Sequence, residues 1–385
     1  MLYAFNDNST SFGGSVVDRQ WTFGDGQVAS GMSVRKLFFR KGDFDVSLTV
    51  KDNLGRAASM ARPFRVHPID TAEVKDPDFL ALSFADMAAS APLGGLSEAD
   101  AVAAAQLLIS ARRFSDAALV FEAVLTRPNA KPGAELMAAV LDLFAGPLEA
   151  PDRAEEIARR VLSRIPLDDR TAVQTLLRKG RILLDDLDRP GEALADFKAA
   201  ALRLRGDRND ALSRLALIGQ GDALRALGKA AEAREAYASA ERIPLPGAPA
   251  SKPYDLSSFA LTVESHLLSR QWEEARKIVD EWENAHPTEK LAGYSSVLRA
   301  RLDFEERNTR RAIRELEHFL AADPQGLYAQ QALLLLGEMR LALGDGRSAA
   351  EAFQKALDSF QDENVQKQAR EGLAKASRLI AGEPK

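Results

Sequence analysis

The chain has 385 residues, of which 46% are hydrophobic and 28% charged, and its 51 Lys and Arg stand against 56 Asp and Glu for a net charge of −5. That balance excludes a generally basic nucleic-acid binder, and the composition excludes a disordered or collagenous chain. Cysteine is absent and only four histidines occur, which excludes disulfides, thiolate metal sites and cysteine nucleophiles and leaves little for metal or acid–base chemistry. No apolar run approaches the ~18 residues of a membrane span.

Composition divides the chain. Residues 1–68 are rich in Ser, Thr, Val, Phe, Gly and Asp and hold 9 basic and 6 acidic groups, whereas the remainder is dominated by Ala, Leu, Arg and Glu and is acidic. In the first segment Phe44, Val46, Leu48 and Val50 alternate with Asp45, Ser47, Thr49 and Lys51, the period of a strand with one buried face. Asp52-Asn53-Leu54-Gly55 signals a turn, and Ala57 to Val66 follows as a second strand whose Pro63 suits a sheet edge. Short strands joined by Gly/Asp/Asn turns predict an antiparallel sandwich.

The run Trp21-Thr22-Phe23-Gly24-Asp25-Gly26, followed by Gly42-Asp43-Phe44-Asp45-Val46-Ser47-Leu48-Thr49-Val50-Lys51-Asp52 and Gly55, resembles a PKD domain, an immunoglobulin-like sandwich with a W-D-F-G-D-G hallmark. Trp21 and Phe23 then face the core, and Gly24-Asp25-Gly26 make the turn after them. Thr22 stands where the family has Asp, and Lys36-Leu37-Phe38 where it has His-x-Tyr. The resemblance also implies that Tyr3 to Ser9 is the family's second strand, with the first strand belonging to a longer parent protein.

From residue 96 onward one helix pair recurs. Small anchors fall at Ala117, Ala154, Ala193, Ala233, Ala275, Ala312 and Ala349, at intervals of 37, 39, 40, 42, 37 and 37 residues. Four residues on come Phe121, Ala158, Phe197, Tyr237, Val279, Leu316 and Phe353; three further on come Val124, Val161, Ala200, Ala240, Trp282, Phe319 and Ala356. All three positions share one helical face. Pro128, Pro166, Pro244, Pro287 and Pro324 close units, since proline cannot continue a helix. The pattern is similar to the tetratricopeptide repeat (TPR): Gly180, Gly221 and Gly337 match its eighth position, and Gly228 and Gly344 its inter-helix loop. Every interval exceeds the family's ~34 residues, so the repeats are degenerate. The fold class expected is therefore multidomain, a small all-β immunoglobulin-like sandwich followed by an all-α TPR-like superhelix. Its parts are residues 1–68 (sandwich), 69–95 (linker and lead-in helix at about 78 to 90), 96–360 (about seven helix pairs) and 361–385 (capping helix and tail).

Catalytic readings fail on their own terms. No G-x-S-x-G element accompanies the histidines, and His266 and His318 fall beside repeat anchors, where packing or surface roles are expected. Gly219-Gln220-Gly221 lies inside a helix pattern and follows no strand, so it is no dinucleotide fingerprint. Asp25, Asp43, Asp45 and Asp52 at one end of the sandwich offer oxygens for calcium, against which stands the simpler reading as turn residues. Lys36, Arg40 and Lys41 read as a solvated face, and Asp185-Asp186-Leu187-Asp188 as a long inter-helix loop.

Stacked helix pairs curl into a superhelix whose inner face accepts a peptide. The fifth, ninth and twelfth positions of the clearest units give Leu177, Arg181 and Leu184, then Ile218, Asp222 and Arg225, then Leu334, Glu338 and Leu341; Glu264 is the ninth position of the fifth unit. The polar members Arg181, Asp222, Arg225, Glu264 and Glu338 are the candidate partner-binding residues, and the apolar ones serve equally well as core. The expected function is a non-catalytic interaction scaffold binding a protein or peptide, with no cofactor, no metal, no nucleic acid and no membrane span. The PKD resemblance implies an extracytoplasmic setting in a bacterial envelope, periplasm or cell surface. Two alternatives stand beside it: an accessory glycan- or cell-wall-associating part of a larger polysaccharide-processing protein, for which Tyr3, Phe38 and Phe39 are the aromatic candidates, and self-association through repeat faces.

Overall fold

The computed structural model describes residues 1–67, 82, 85–86, 88–89, 96–128, 130–164, 167–204, 211–244 and 256–382. These form two compact units, Met1–Thr171 and Ala172–Lys385. Most of the expected lead-in helix lies outside the described residues; residues 82, 85–86 and 88–89 are helical. Pro166 also lies outside them.

The first unit begins with β1 (Leu2–Asn6), β2 (Val16–Thr22), β3 (Val28–Ser30), β4 (Ser33–Leu37), β5 (Gly42–Asp52) and β6 (Ala57–Val66). β1 pairs with β4, and β3-β2-β5-β6 form a second sheet, all antiparallel. The alternation in β5 sets the inner face: Phe44 and Val46 are buried while Asp43 and Asp45 are exposed. Trp21, Phe23, Phe38 and Val66 complete that core. Gly24 and Gly26 have φ of +71° and +85°, a backbone that side chains rarely adopt, and a Cβ on Gly24 would stand 2.9 Å from the Asp45 backbone nitrogen. β6 is an edge strand, as Pro63 requires.

Of the three basic residues read as a solvated face, Arg40 and Lys41 are exposed and Lys36 is not. Lys36 is buried with its ammonium 2.5 Å from Asp25, donating to Gln27 Oε1 and the Leu37 carbonyl and standing 5.0 Å from the Phe38 ring centre. Burial lowers its pKa against the pull of Asp25. A position that the family fills with His thus holds an enclosed ion pair, and the sequence reading missed it because its acid is eleven residues earlier, across the sandwich. Arg40 pairs with the buried Asp100 at 2.8 Å. Nor do the four aspartates gather: Asp25 serves Lys36 and the Gln27 N–H, Asp43 meets Arg65, and Asp52 closes its turn by accepting from Leu54 and Arg56 N–H. Among the described residues no group of three His, Asp or Glu has metal-holding geometry.

Among the described residues seven helix pairs follow: α1 (Glu98–Ser110) with α2 (Phe114–Leu125), α3 (Ala134–Ala145) with α4 (Pro151–Arg164), and α5 (Asp169–Arg181) with α6 (Pro190–Arg203). Then come α7 (Ala211–Ala226) with α8 (Ala230–Glu241), α9 (Leu256–Leu268) with α10 (Trp272–Ala285), α11 (Tyr294–Glu305) with α12 (Thr309–Ala322), and α13 (Ala329–Ala342) with α14 (Gly346–Ser359). A 3-10 turn, Pro287–Ala292, precedes α11, and α15 (Glu363–Ala381) follows the last pair. All seven anchor alanines have no exposed surface, and every residue four and seven positions after them is buried. The glycines explain how the paired helices approach. A Cβ on Gly180 would stand 2.7 Å from the Phe197 ring, and one on Gly337 2.5 Å from that of Phe353; Gly221 abuts Tyr237 in the same way. The eighth-position glycine is therefore room for the aromatic of the partner helix. Gly219 lies against Phe197 within α7, which gives the Gly219-Gln220-Gly221 motif a packing role.

One backbone device recurs in every pair. Arg112, Glu149, Asp188, Gly228, Arg270, Arg307 and Gly344 each stand two residues before the second helix, and all have positive φ, from 48° to 78°. The next N–H returns to the last turn of the first helix, as in Lys229 to the Leu224 carbonyl at 2.9 Å and Asn308 to that of Asp303 at 2.7 Å. This is a Schellman-type ending, which glycine fills best. Exposed Arg307 has φ +67°, so Arg307→Gly is expected to stabilise the array by ~0.5–1 kcal/mol, read as a higher urea midpoint. A lower midpoint would contradict that assignment.

The third pair departs from the rest. Its turn bond spans six residues (Arg189 N–H to the Leu183 carbonyl), as in the second pair (Ala150 N–H to the Phe144 carbonyl), but here Ile182–Asp186 is a π-helical turn, so of the loop read from the sequence only Leu187 and Asp188 are non-helical. The extra residue sits inside the helix, a widening that carries no composition signal. At the other end of the array, α15 is capped by Asp362 accepting from Asn364 and Val365 N–H, and Gly372 packs against Phe353.

Candidate interaction site

Within Ala172–Lys385 a cavity of ≈ 280 Å³ opens between helices of the third to sixth pairs. Its floor is an ion-pair network. Asp222 of α7, 2% exposed, takes Lys290 and Arg181 at 2.6 Å each and accepts the Tyr237 hydroxyl at 2.7 Å. Arg225, one turn on and equally buried, donates to Glu315 at 2.8 Å and to Ser296 at 2.6 Å. Arg299 binds Glu283 at 2.8 Å and Asp280 at 2.6 Å, and Lys290 approaches Glu283 at 3.5 Å. Arg276 closes the side with Asp303 at 2.6 Å and Glu306 at 2.8 Å.

Electrostatics follow from that arrangement. Burial alone would raise the Asp222 carboxyl, but Lys290, Arg181 and Arg225 outweigh it and hold the group well below the usual carboxylate range. Glu283 is likewise desolvated, and Arg299 and Lys290 hold it down. Tyr237 is pushed well up, first by burial and then by Asp222. Seven Arg and Lys side chains and six Asp and Glu line the cavity, so it has almost no net charge and is no electrostatic sink for a polyanion. Nor does it hold a nucleophile poised on a base. What it offers is a dense set of donors and acceptors with partly exposed cations at its rim, Arg181 at 39% and Arg311 at 45%.

The sequence-derived residues separate accordingly. Arg181, Asp222 and Arg225 come together in this cavity, Arg181 partly exposed and the other two enclosed. Glu264 lies elsewhere, half-buried on α9, accepting from Tyr294 at 3.0 Å; burial and then Glu264 raise that phenol to about 12. Glu338 is exposed on α13, away from the cavity. Leu177, Leu184 and Ile218 are buried as core. Sequence reasoning missed Glu283, Lys290, Arg299 and Glu315; the one signal available was the 42-residue interval between Ala233 and Ala275, the longest in the array. His318 lines the cavity and stands 3.5 Å from Asp188, while His266 contacts Gln271. The aromatic candidates for glycan stacking are committed inward: Phe38 is fully buried, Tyr3 packs edge-on against Phe64 at 4.9 Å, and Phe39 is half-buried near Lys36.

Residues 2–62 match the PKD domain family, and residues 177–249 and 297–364 match the tetratricopeptide repeat family. The chain carries a PKD domain followed by tetratricopeptide repeats. No curated protein matches it. Similar solved structures include a tetratricopeptide repeat protein from Parabacteroides merdae, with 15% identity, 73% of this chain and 98% of that chain covered, and a TM-score of 0.35. Another is the TPR2AB domain of yeast Sti1 in a complex with a pHSP90, with 16% identity, 77% and 99% covered, and a TM-score of 0.29. A third is the C-terminal part of a TPR repeat-containing protein from Cytophaga hutchinsonii, with 16% identity, 70% and 98% covered, and a TM-score of 0.29. No helix among the described residues is long and apolar enough to cross a membrane.

Proposed function

We propose that the chain is a non-catalytic scaffold that binds a protein or peptide in the charged cleft of its tetratricopeptide repeats, in an extracytoplasmic setting. In this reading residues 1–68 are the PKD sandwich, 69–95 a linker and lead-in, 96–360 the repeats and 361–385 a cap. The observation that carries the proposal is the cleft itself: an enclosed, paired floor under rim cations from separate helices. Rim charges fix the orientation of a partner, and the partly exposed Arg181 and Arg311 have donors free to turn towards its acceptors. The setting rests on the PKD match alone, and recovery of the protein in the cytosolic fraction of its source cells would contradict it.

The test of binding is affinity capture from an envelope extract of those cells with three baits: wild type, Arg181→Glu, and Lys198→Glu as an exposed control on α6. A reversal at Arg225 is unsuitable, since it would bury a carboxylate beside Glu315. A protein retained by wild type and Lys198→Glu but lost from Arg181→Glu is expected. Equal retention by all three folded baits would count against the cleft.

A further inference from the structure

In a tetratricopeptide array each helix pair packs on its sequence neighbours. Here α12, of the sixth pair, lies against α7, of the fourth. Contacts bridge 90 to 129 residues of sequence: Arg225 to Glu315, Arg311 to Asp186 at 3.0 Å, and Arg314 to the Asp185 carbonyl. His318 stands 3.5 Å from Asp188. The residues used by α12 are 311, 314, 315 and 318, one helical face by the i, i+3, i+4, i+7 rule. A different stripe, Ala312, Leu316 and Phe319, is buried in an apolar core with Val297, Ala300, Ala329 and Ala332 from its neighbours α11 and α13. So α12 is anchored to its own part of the array by an apolar face and meets the third and fourth pairs by a charged one.

The acidic run 185–188 thereby gains a purpose. The π-helical turn and the two residues after it meet α12 through the Asp186 carboxylate, the Asp185 carbonyl and, at 3.5 Å from His318, the Asp188 carboxylate. We propose that this turn, with Arg225, is a docking surface for a helix that shows basic groups at i and i+3 and an acid at i+4, and that α12 occupies it as an internal ligand. The contact is an ionic latch: it holds the cleft closed and must be displaced by a partner helix of the same pattern. Charged seams of this kind are well hydrated once open, so their closing contributes little net free energy, in contrast to the apolar core on the other face of α12. The displacement clause rests on the partner-binding reading above; the latch itself does not.

Because the chain has no cysteine, two spin labels can be placed without further changes, at Lys198→Cys on α6 and Lys355→Cys on α14. Pulsed electron–electron resonance on the full chain reads their separation. A narrow distribution is expected for the latched protein. Arg311→Asp or Asp186→Arg alone is expected to lengthen or broaden it by ~5–10 Å, the scale of one helix spacing, and the two together to restore it. The milder Arg311→Gln with Arg314→Gln gives the same readout if either reversal fails to fold. Distributions unchanged by folded single reversals, or by the Gln pair, overturn the latch. That failure leaves the capture experiment untouched, and a failed capture leaves this distance measurement standing.

Discussion

Asp222→Asn is expected to cost ~3–5 kcal/mol of stability, the range for breaking a buried ion pair by removing one partner. The substitution keeps the shape of the side chain and lets Asn accept the Tyr237 hydroxyl, so packing is not the cause. What is lost is the charge that compensates Lys290 and Arg181, both 2.6 Å away, the first of them enclosed. The same residue gives a signed pH dependence. Its folded pKa lies far below the ~3.9 of an unfolded aspartate, so its contribution is complete above about pH 5 and is lost as pH falls through 4 towards the depressed folded value. Glu283, lowered for the same reason, adds to that slope. Urea unfolding of wild type should therefore lose more stability between pH 7 and pH 3 than that of Asp222→Asn. A variant within 1 kcal/mol of wild type at pH 7, with a parallel pH profile, would mean that the network does not form.

The second large effect is expected at a repeat anchor. Ala233 on α8 has no exposed surface, and its helix packs on α7, where Gly221 is already in contact with the Tyr237 ring. Tyr237 cannot swing aside without giving up Asp222. Ala233→Leu is therefore expected to overpack the joint and cost ~1–3 kcal/mol, with Lys229→Ala, at an exposed position one turn earlier, staying within about 0.5 kcal/mol. Thermal and urea midpoints of both variants check the register directly, and equal effects would show the anchors to be misplaced.

The repeat register was legible because it is written locally. Small residues at the anchors and large ones four and seven positions on must share a face within a single helix, and the seven fully buried alanines follow from that spacing. The sandwich core was legible for a similar reason, since Trp21, Phe23, Phe44 and Val46 obey a period of two. The cleft was not. Arg181, Asp222 and Arg225 can be placed on inward faces by counting, but the enclosure of Asp222 and Arg225 depends on Lys290 and Glu315, which lie 68 and 90 residues further along the chain. Nothing within one helix encodes that approach. Lys36 and the turn at 185–188 escaped for the same reason: a charged side chain carries no sign of burial until its partner is known.

A site-resolved contact tests the central claim most directly. Benzoylphenylalanine placed at Leu215, in the cleft lining, is compared with the same group at Leu202, exposed on α6 away from it. After irradiation in the envelope extract, one protein joined to the Leu215 chain and absent from the Leu202 chain is expected. Cross-linking at Leu202 alone, or equally at both, would place the interaction surface outside the cleft.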